Sequence, residues 1–103
     1  MINNGNMIIC NKKDAEAYGF VIEGEVAFVW DLPVGAVCLG YNSMNNEWQA
    51  DTLDPDTIFP YQMTGNDLHD MIDACNKLST TMNNFHKNKS FREICEFCNF
   101  KNV

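Results

Sequence analysis

Hydrophobic residues recur at every second position from Phe20 onwards, which is the pattern of strands in an antiparallel sheet. Two runs rich in Val, Ile, Phe and Trp lie on either side of Gly24 and predict a β-hairpin. Two further runs, "AVCLGY" and "EWQADT", are separated by the turn residues of "NSMNN". "MIIC" is typical of an edge strand, and prolines predict a loop between Leu53 and Gly65. Residues 1–62 are therefore predicted to be mainly β, with an antiparallel sheet of about four strands.

The hydrophobic spacing changes to three and four residues after Gly65, which predicts a long helix that Thr64 or Asn66 could cap. Its apolar stripe comprises Leu68, Met71, Ile72, Cys75, Leu78, Met82 and Phe85. The stripe is narrow and heptad-like, so it predicts packing against the sheet or a homodimer through residues 68–85.

A second helix is predicted to begin after Ser90, because Glu93 stands three residues later as in a capping box. Its apolar face comprises Phe91, Ile94, Cys95 and Cys98. Residues 64–100 thus predict a helical hairpin that covers one face of the sheet. We expect one α+β domain over residues 1–103, with two C-terminal helices packed on one face.

Acidic residues outnumber basic ones, 14 to 7, and the formal net charge is −7. No Lys or Arg occurs between Asp14 and Asn76, whereas every acid except Glu93 and Glu96 lies in that stretch. A direct nucleic-acid contact is not expected, because phosphate binding needs clustered cations. The acidic stretch instead predicts attraction to a basic protein surface.

The sequence has features of a cytoplasmic protein. It shows neither a signal peptide nor an apolar run long enough to cross a membrane, so no membrane contact is expected. Its five cysteines are scattered, which is typical of reduced thiols that pack as small hydrophobic residues. The many asparagines are common in proteins from AT-rich genomes, including phages, so a phage or mobile-element origin fits the composition.

Cys95 and Cys98 in "REICEFCNF" have the spacing of a redox couple or of half a zinc site. Both fall on the apolar face towards the end of the second helix, where the helix dipole disfavours a thiolate, so we expect core packing. A metal would need Cys75 and His86 as further ligands, in an order that matches no closed-site spacing, and this alternative stays open.

No set of side chains predicts catalysis. His69 and His86 lie 17 residues apart, or about 25 Å along one helix, which is too far for one active site. The acidic loop "DTLDPD" lacks the glycine and the final glutamate of an EF-hand. We therefore predict no enzyme activity, no bound metal and no cofactor.

The predicted function is that of a protein-binding module, an inhibitor or adaptor that engages a basic surface of a larger protein. A nucleic-acid-binding enzyme is one such partner, with the carboxylates standing in for phosphates. Tryptophan is enriched at binding hot spots. The predicted contact residues are Glu23, Glu25, Asp31, Glu47, Trp48, Asp51, Asp54 and Asp56. The alternative is a small-molecule-binding protein with a pocket between the sheet and the long loop.

Overall fold

The computed structural model describes residues 7–17, 24, 26–53 and 61–102. Within these ranges the elements are β1 (Met7–Asn11), α1 (Lys12–Ala17), β2 (Val26–Leu32), β3 (Gly35–Asn42), β4 (Glu47–Leu53), β5 (Tyr61–Gly65), α2 (Leu68–Phe85), α3 (Phe91–Phe97) and β6 (Lys101–Asn102). The predicted α+β class and the two C-terminal helices are confirmed. The prediction of about four strands is only roughly matched, because the sheet has six strands among the described residues.

Each strand pairs antiparallel with the next one along the chain, so the sheet is a simple meander in the order β1 to β6. The run before Gly24, predicted as the partner of β2, lies outside the described residues, and β2 pairs with β1 and β3. Residues 61–65, predicted as loop, form β5, because Pro60 precedes this strand and leaves its ladder intact. The strand β6 follows α3 and returns the chain to the open edge of β5.

The helices α2 and α3 cover one face of the sheet, which we call the helix face. The core between them and the sheet is built around Trp30, Val37, Leu39, Tyr61, Met71, Cys75, Leu78, Met82, Ile94, Cys95 and Phe100. Trp30 anchors α2 because its indole Nε1 donates a hydrogen bond to Asn76 Oδ1 at 2.8 Å. The stripe on α2 therefore faces the sheet of its own chain, and a second copy could meet it only through its partly exposed members Leu68, Ile72 and Phe85.

The two C-terminal helices, α2 and α3, both begin at side-chain caps. The capping box of Ser90 and Glu93 is confirmed, with Glu93 N donating to Ser90 Oγ at 3.1 Å and Ser90 N donating to Glu93 Oε1 at 3.0 Å. The cap of α2 is Asp67, which accepts from His69 N at 3.2 Å, so the prediction of Thr64 or Asn66 is wrong. Thr64 belongs instead to β5. Neither of these helices, nor α1, is long and apolar enough to cross a membrane.

The opposite side of the sheet, which we call the second face, carries a smaller core that the sequence did not predict. The helix α1 lies on it, and Ala15 is buried together with side chains of β1, β2 and β3, namely Cys10, Ala27, Val29, Ala36 and Cys38. The strands β4 and β5 place polar side chains on the same face, because Asp51 is paired with Cys38 and Gln62 is paired with Asp51. The second face is thus apolar at one end and polar at the other.

Candidate functional site

The predicted contact residues divide between the two faces. Glu23, Glu25, Asp54 and Asp56 lie outside the described residues. Asp31, Glu47 and Asp51 all fall on the second face, because their strand partners are Ala36, Asn42 and Cys38. Trp48 points to the helix face, since its strand partner is Tyr41.

The three carboxylates do not meet at one point. Asp51 lies four positions after Glu47, which corresponds to about 13 Å along β4. Asp31 lies on β2, two strands away from Asp51. The second face therefore presents separate charges and does not form a single acidic pocket.

Asp51 is held in a network of side-chain amides. Gln49 Nε2 donates to Asp51 Oδ1 at 3.0 Å and to Oδ2 at 3.1 Å, and Asn42 Nδ2 donates to Gln49 Oε1 at 3.1 Å. Burial raises the pKa of Asp51 above its ordinary 3.8, and hydrogen bonds from Gln49 and Gln62 partly offset that rise. Asp51 therefore contributes more to the local structure of β4 than to an open contact surface.

Aromatic side chains meet on the helix face at the end of the β3–β4 hairpin. The rings of Tyr41 and Trp48 pack edge to face, with centroids 5.3 Å apart and planes at 72°. Phe28 on β2 lies beyond them, with its ring centroid 6.4 Å from that of Trp48. Such pairs are stabilising beyond the area they bury, so this end of the sheet has a rigid aromatic surface.

Two exposed aliphatic residues extend this surface towards the sheet edge. Ile9 pairs with Phe28 and is 64% exposed, while Val26, two residues before Phe28 on the same face, is 51% exposed. Tyr41 is 39% exposed. We call the five residues Ile9, Val26, Phe28, Tyr41 and Trp48 the aromatic patch. A contiguous exposed apolar area of this kind is typical of an interaction site.

One carboxylate, that of Asp67, lies near the aromatic patch on its β5 side. Glu47 precedes Trp48 in β4, so its side chain points to the second face, and Trp48 is paired with Gly65 of β5. Asp67 follows Gly65 by two residues, so its Cα lies within about 12 Å of that of Trp48. Capping and the helix dipole account for the presence of an acid at Asp67. Neither capping nor the dipole neutralises the negative charge that Asp67 presents to an approaching molecule.

Neither Asp67 nor Glu47 forms an ion pair with another described residue. In the part of the chain that the structure describes, the ion pair between Arg92 and Glu96, at 3.5 Å in α3, is the only one. The helix α2 has 18 residues and is thus about 27 Å long, which keeps Lys87 and Lys89 far from Asp67. The charge separation along the sequence is therefore preserved in space along α2.

Some basic side chains lie near the acidic residues of the sheet. Lys101 of β6 is paired with Gln62, the neighbour of Asp51, so the tail brings one ammonium back to the second face. Lys12 and Lys13 begin α1 directly after Asn11, which is paired with Val26. The aromatic patch consequently has the carboxylate of Asp67 near its β5 side and the lysines that begin α1 near its β1 side.

The cysteines are buried, as predicted, and their thiols are poor metal ligands. Burial, with smaller contributions from Cys10 and Asp51, raises the pKa of Cys38 to about 12, and burial also raises the pKa of Cys75 and Cys98. His86 Nδ1 lies 3.1 Å from the carbonyl oxygen of Met82, at the end of α2. No three His, Cys, Asp or Glu side chains of the described ranges are grouped as a metal site, so Cys75, His86, Cys95 and Cys98 are not brought together.

The chain matches no protein-family model, no curated protein and no solved structure. The candidate site therefore rests on the residues themselves. Sequence reasoning named Trp48 as a contact residue but did not predict that Ile9, Val26 and Tyr41 share its surface. The pairing of Tyr41 with Trp48 was accessible from the sequence, because the "NSMNN" turn sets the register of that hairpin.

Proposed function

We propose that this chain is an acidic, non-catalytic protein-binding module, an inhibitor or adaptor that engages a basic surface of a larger protein. The observation that carries the proposal is the exposed aromatic patch, with the carboxylate of Asp67 on its β5 side and that of Glu47 behind Trp48 on the second face, neither of which forms an ion pair within the described residues. A nucleic-acid-binding enzyme, whose cationic groove would accept carboxylates in place of phosphates, is one partner of this kind.

The two parts of the surface have different roles in the proposal. Tyr41 and Trp48 provide rigid contact area that loses little conformational entropy on binding, which is why tryptophan and tyrosine are frequent hot-spot residues. The carboxylates attract a cationic partner and speed its approach. Because exposed charges are screened by salt, the association rate should fall steeply as ionic strength rises.

Two charge-neutral variants test whether the local charge matters. The patch-neutral variant combines Glu47→Gln with Asp67→Asn, and it keeps the α2 cap because asparagine caps as well as aspartate. The control-neutral variant combines Asp14→Asn with Glu16→Gln on α1, which lies on the second face. Both variants change the net charge equally, so they separate local attraction from overall charge.

The measurement is the association rate constant with the protein that the wild-type chain retains from host lysate at low salt. We expect the patch-neutral variant to associate about threefold to tenfold more slowly than the wild type. For the control-neutral variant, the change in the logarithm of the association rate constant should be less than half as large. Equal rates for both variants and the wild type, or rates independent of salt, would refute the proposal.

A second candidate function is small-molecule binding. The predicted pocket beside the loop at 54–60 lies outside the described residues, but a groove of about 450 Å³ runs between α2 and α3, lined chiefly by Thr81, Phe85, Ile94 and Phe97. Its volume is in the range of ligand sites. A ligand would raise the melting temperature when a cell extract stripped of macromolecules is added, whereas an unchanged melting temperature would count against this function.

A further inference from the structure

The groove between α2 and α3 combines a buried aliphatic side chain with two exposed rings. Ile94 lines it from the core, while Phe85 of α2 is 42% exposed and Phe97 of α3 is 66% exposed. Its volume of about 450 Å³ is that of a site for a small organic molecule. Because burial of apolar surface is favourable, the groove is suited to the apolar part of a ligand.

An ammonium group stands at each end of the groove. Lys77, Thr81 and Phe85 follow one another at intervals of four residues along one side of α2, and Thr81 and Phe85 line the groove. Lys77 Nζ lies 5.3 Å from the centroid of the Phe97 ring, which places it at the Phe97 end. Lys89 lines the end at Phe85, where its backbone N donates to the carbonyl oxygen of Phe85 at 2.8 Å.

Two carboxylates also line the groove, and both are engaged within the first turns of α3 and its cap. Glu93 Oε1 accepts a hydrogen bond from Ser90 N at 3.0 Å. Glu96 Oε2 lies 3.5 Å from Arg92 Nε in an ion pair. A cationic ligand would therefore compete with contacts that both carboxylates already make.

Lys77 has the ammonium group that is most open to an anion. Hydrogen bonds to Ser90, and to a smaller extent the nearby charge of Lys89, lower the pKa of Glu93, so Glu93 offsets part of the charge of Lys89. Lys77 forms no ion pair within the described ranges. Residues 77–97 contain four basic side chains and two acidic ones, so this part of an acidic chain is locally positive.

We infer that the groove binds an apolar molecule with one anionic group, a carboxylate or a sulfonate, that pairs with Lys77. The inference rests on the second candidate function and is independent of the aromatic patch. The apolar part of the ligand covers Phe85, Ile94 and Phe97, and the anion lies at the end where Lys77 stands over the Phe97 ring.

The test uses two fluorescent probes with the same rings, the anion anilinonaphthalene sulfonate and the neutral phenylnaphthylamine, titrated against the full chain at low salt. Lys77→Gln should weaken binding of the anionic probe about twofold to fivefold and leave that of the neutral probe unchanged. Lys77→Arg, which keeps the charge, should restore the affinity. Lys87→Gln is the matched control, because Lys87 does not line the groove, and it should alter neither affinity.

Phe97→Ala should weaken binding of both probes by at least about threefold, since it removes an exposed ring of the groove. Equal effects of Lys77→Gln on the two probes, or equal effects of Lys77→Gln and Lys87→Gln, would overturn the pairing with Lys77 and leave the groove as a ligand site. Unchanged affinities in Phe97→Ala would overturn the assignment to this groove. Saturable binding of neither probe would count against the second candidate function itself.

Discussion

The hydroxyl of Thr52 holds the start of β5 against β4, and its removal should strongly destabilise the fold. Thr52 Oγ1 donates to the carbonyl oxygen of Tyr61 at 3.1 Å and accepts from Tyr61 N at 3.0 Å. The backbone pairing of these strands ends at Asp51 and Gln62, so this side chain takes the place of the next pair in the ladder. Thr52 and Tyr61 are both buried.

The substitution Thr52→Val keeps the shape of the side chain and removes both hydrogen bonds. Two buried backbone groups of Tyr61 then lack a partner, at about 1–3 kcal/mol for each unsatisfied group, so we expect a loss of about 2–6 kcal/mol. In a domain of this size, about 1 kcal/mol corresponds to roughly 4–8 °C in melting temperature, so the melting temperature should fall by about 8 °C or more.

Urea unfolding followed by tryptophan fluorescence measures this change, with an unchanged denaturant slope as the sign that only stability has altered. The control is Thr64→Val, the same substitution at an exposed position of β5, which should change stability by less than about 0.5 kcal/mol. If Thr52→Val unfolds at the same urea concentration as Thr64→Val, the assigned role of the hydroxyl is wrong.

Other predictions test single groups. Ser79→Ala on α2 should raise the free energy of unfolding by about 1 kcal/mol, because Ser79 Oγ is buried without a hydrogen-bond partner among the described residues, and a lower urea midpoint would contradict this. Relative to its quenching of free N-acetyltryptophanamide at the same ionic strength, caesium should quench the tryptophan fluorescence of the protein more than iodide does, since Trp30 is fully buried and Trp48 lies on the side of the sheet near Asp67. The patch-neutral variant should narrow that difference, and equal relative quenching of the wild type by the two ions would refute the local negative potential. The pKa of Asp51 is raised in the folded state, so the native chain binds this proton more strongly than the unfolded chain does, and the contribution of Asp51 to stability falls as pH rises above about 3.8. Asp51→Asn should remove that part of the pH dependence of the urea midpoint, and an unaltered pH profile would show that Asp51 is not its source.

The two C-terminal helices, α2 and α3, could be predicted from the sequence because the residue patterns that indicate them are local. Apolar residues three and four apart define the buried stripe of α2, and the capping box of Ser90 and Glu93 marks the start of α3. Burial of Cys75, Cys95 and Cys98 followed from the same spacing. Interactions of this kind join residues a few positions apart, so the order of residues alone determines them.

The small strands and the aromatic patch depended on tertiary structure. The strand β5 has only five residues and β6 only two, and β6 exists because α3 returns the chain to the edge of β5. Ile9 joins the surface that contains Trp48 only through the pairing of four consecutive strands.

What the sequence determined by itself is the fold class, the helices and the separation of acidic from basic residues along the chain. What the tertiary structure decided is which carboxylates are held by neighbouring side chains. Asp51 and Glu47 both point from β4 to the second face, yet Asp51 is bonded to Gln49 while Glu47 lies at the end of the hairpin. The physical reason is that alternation along a strand sets only relative orientation, whereas strand register and helix placement decide which positions stay open to solvent.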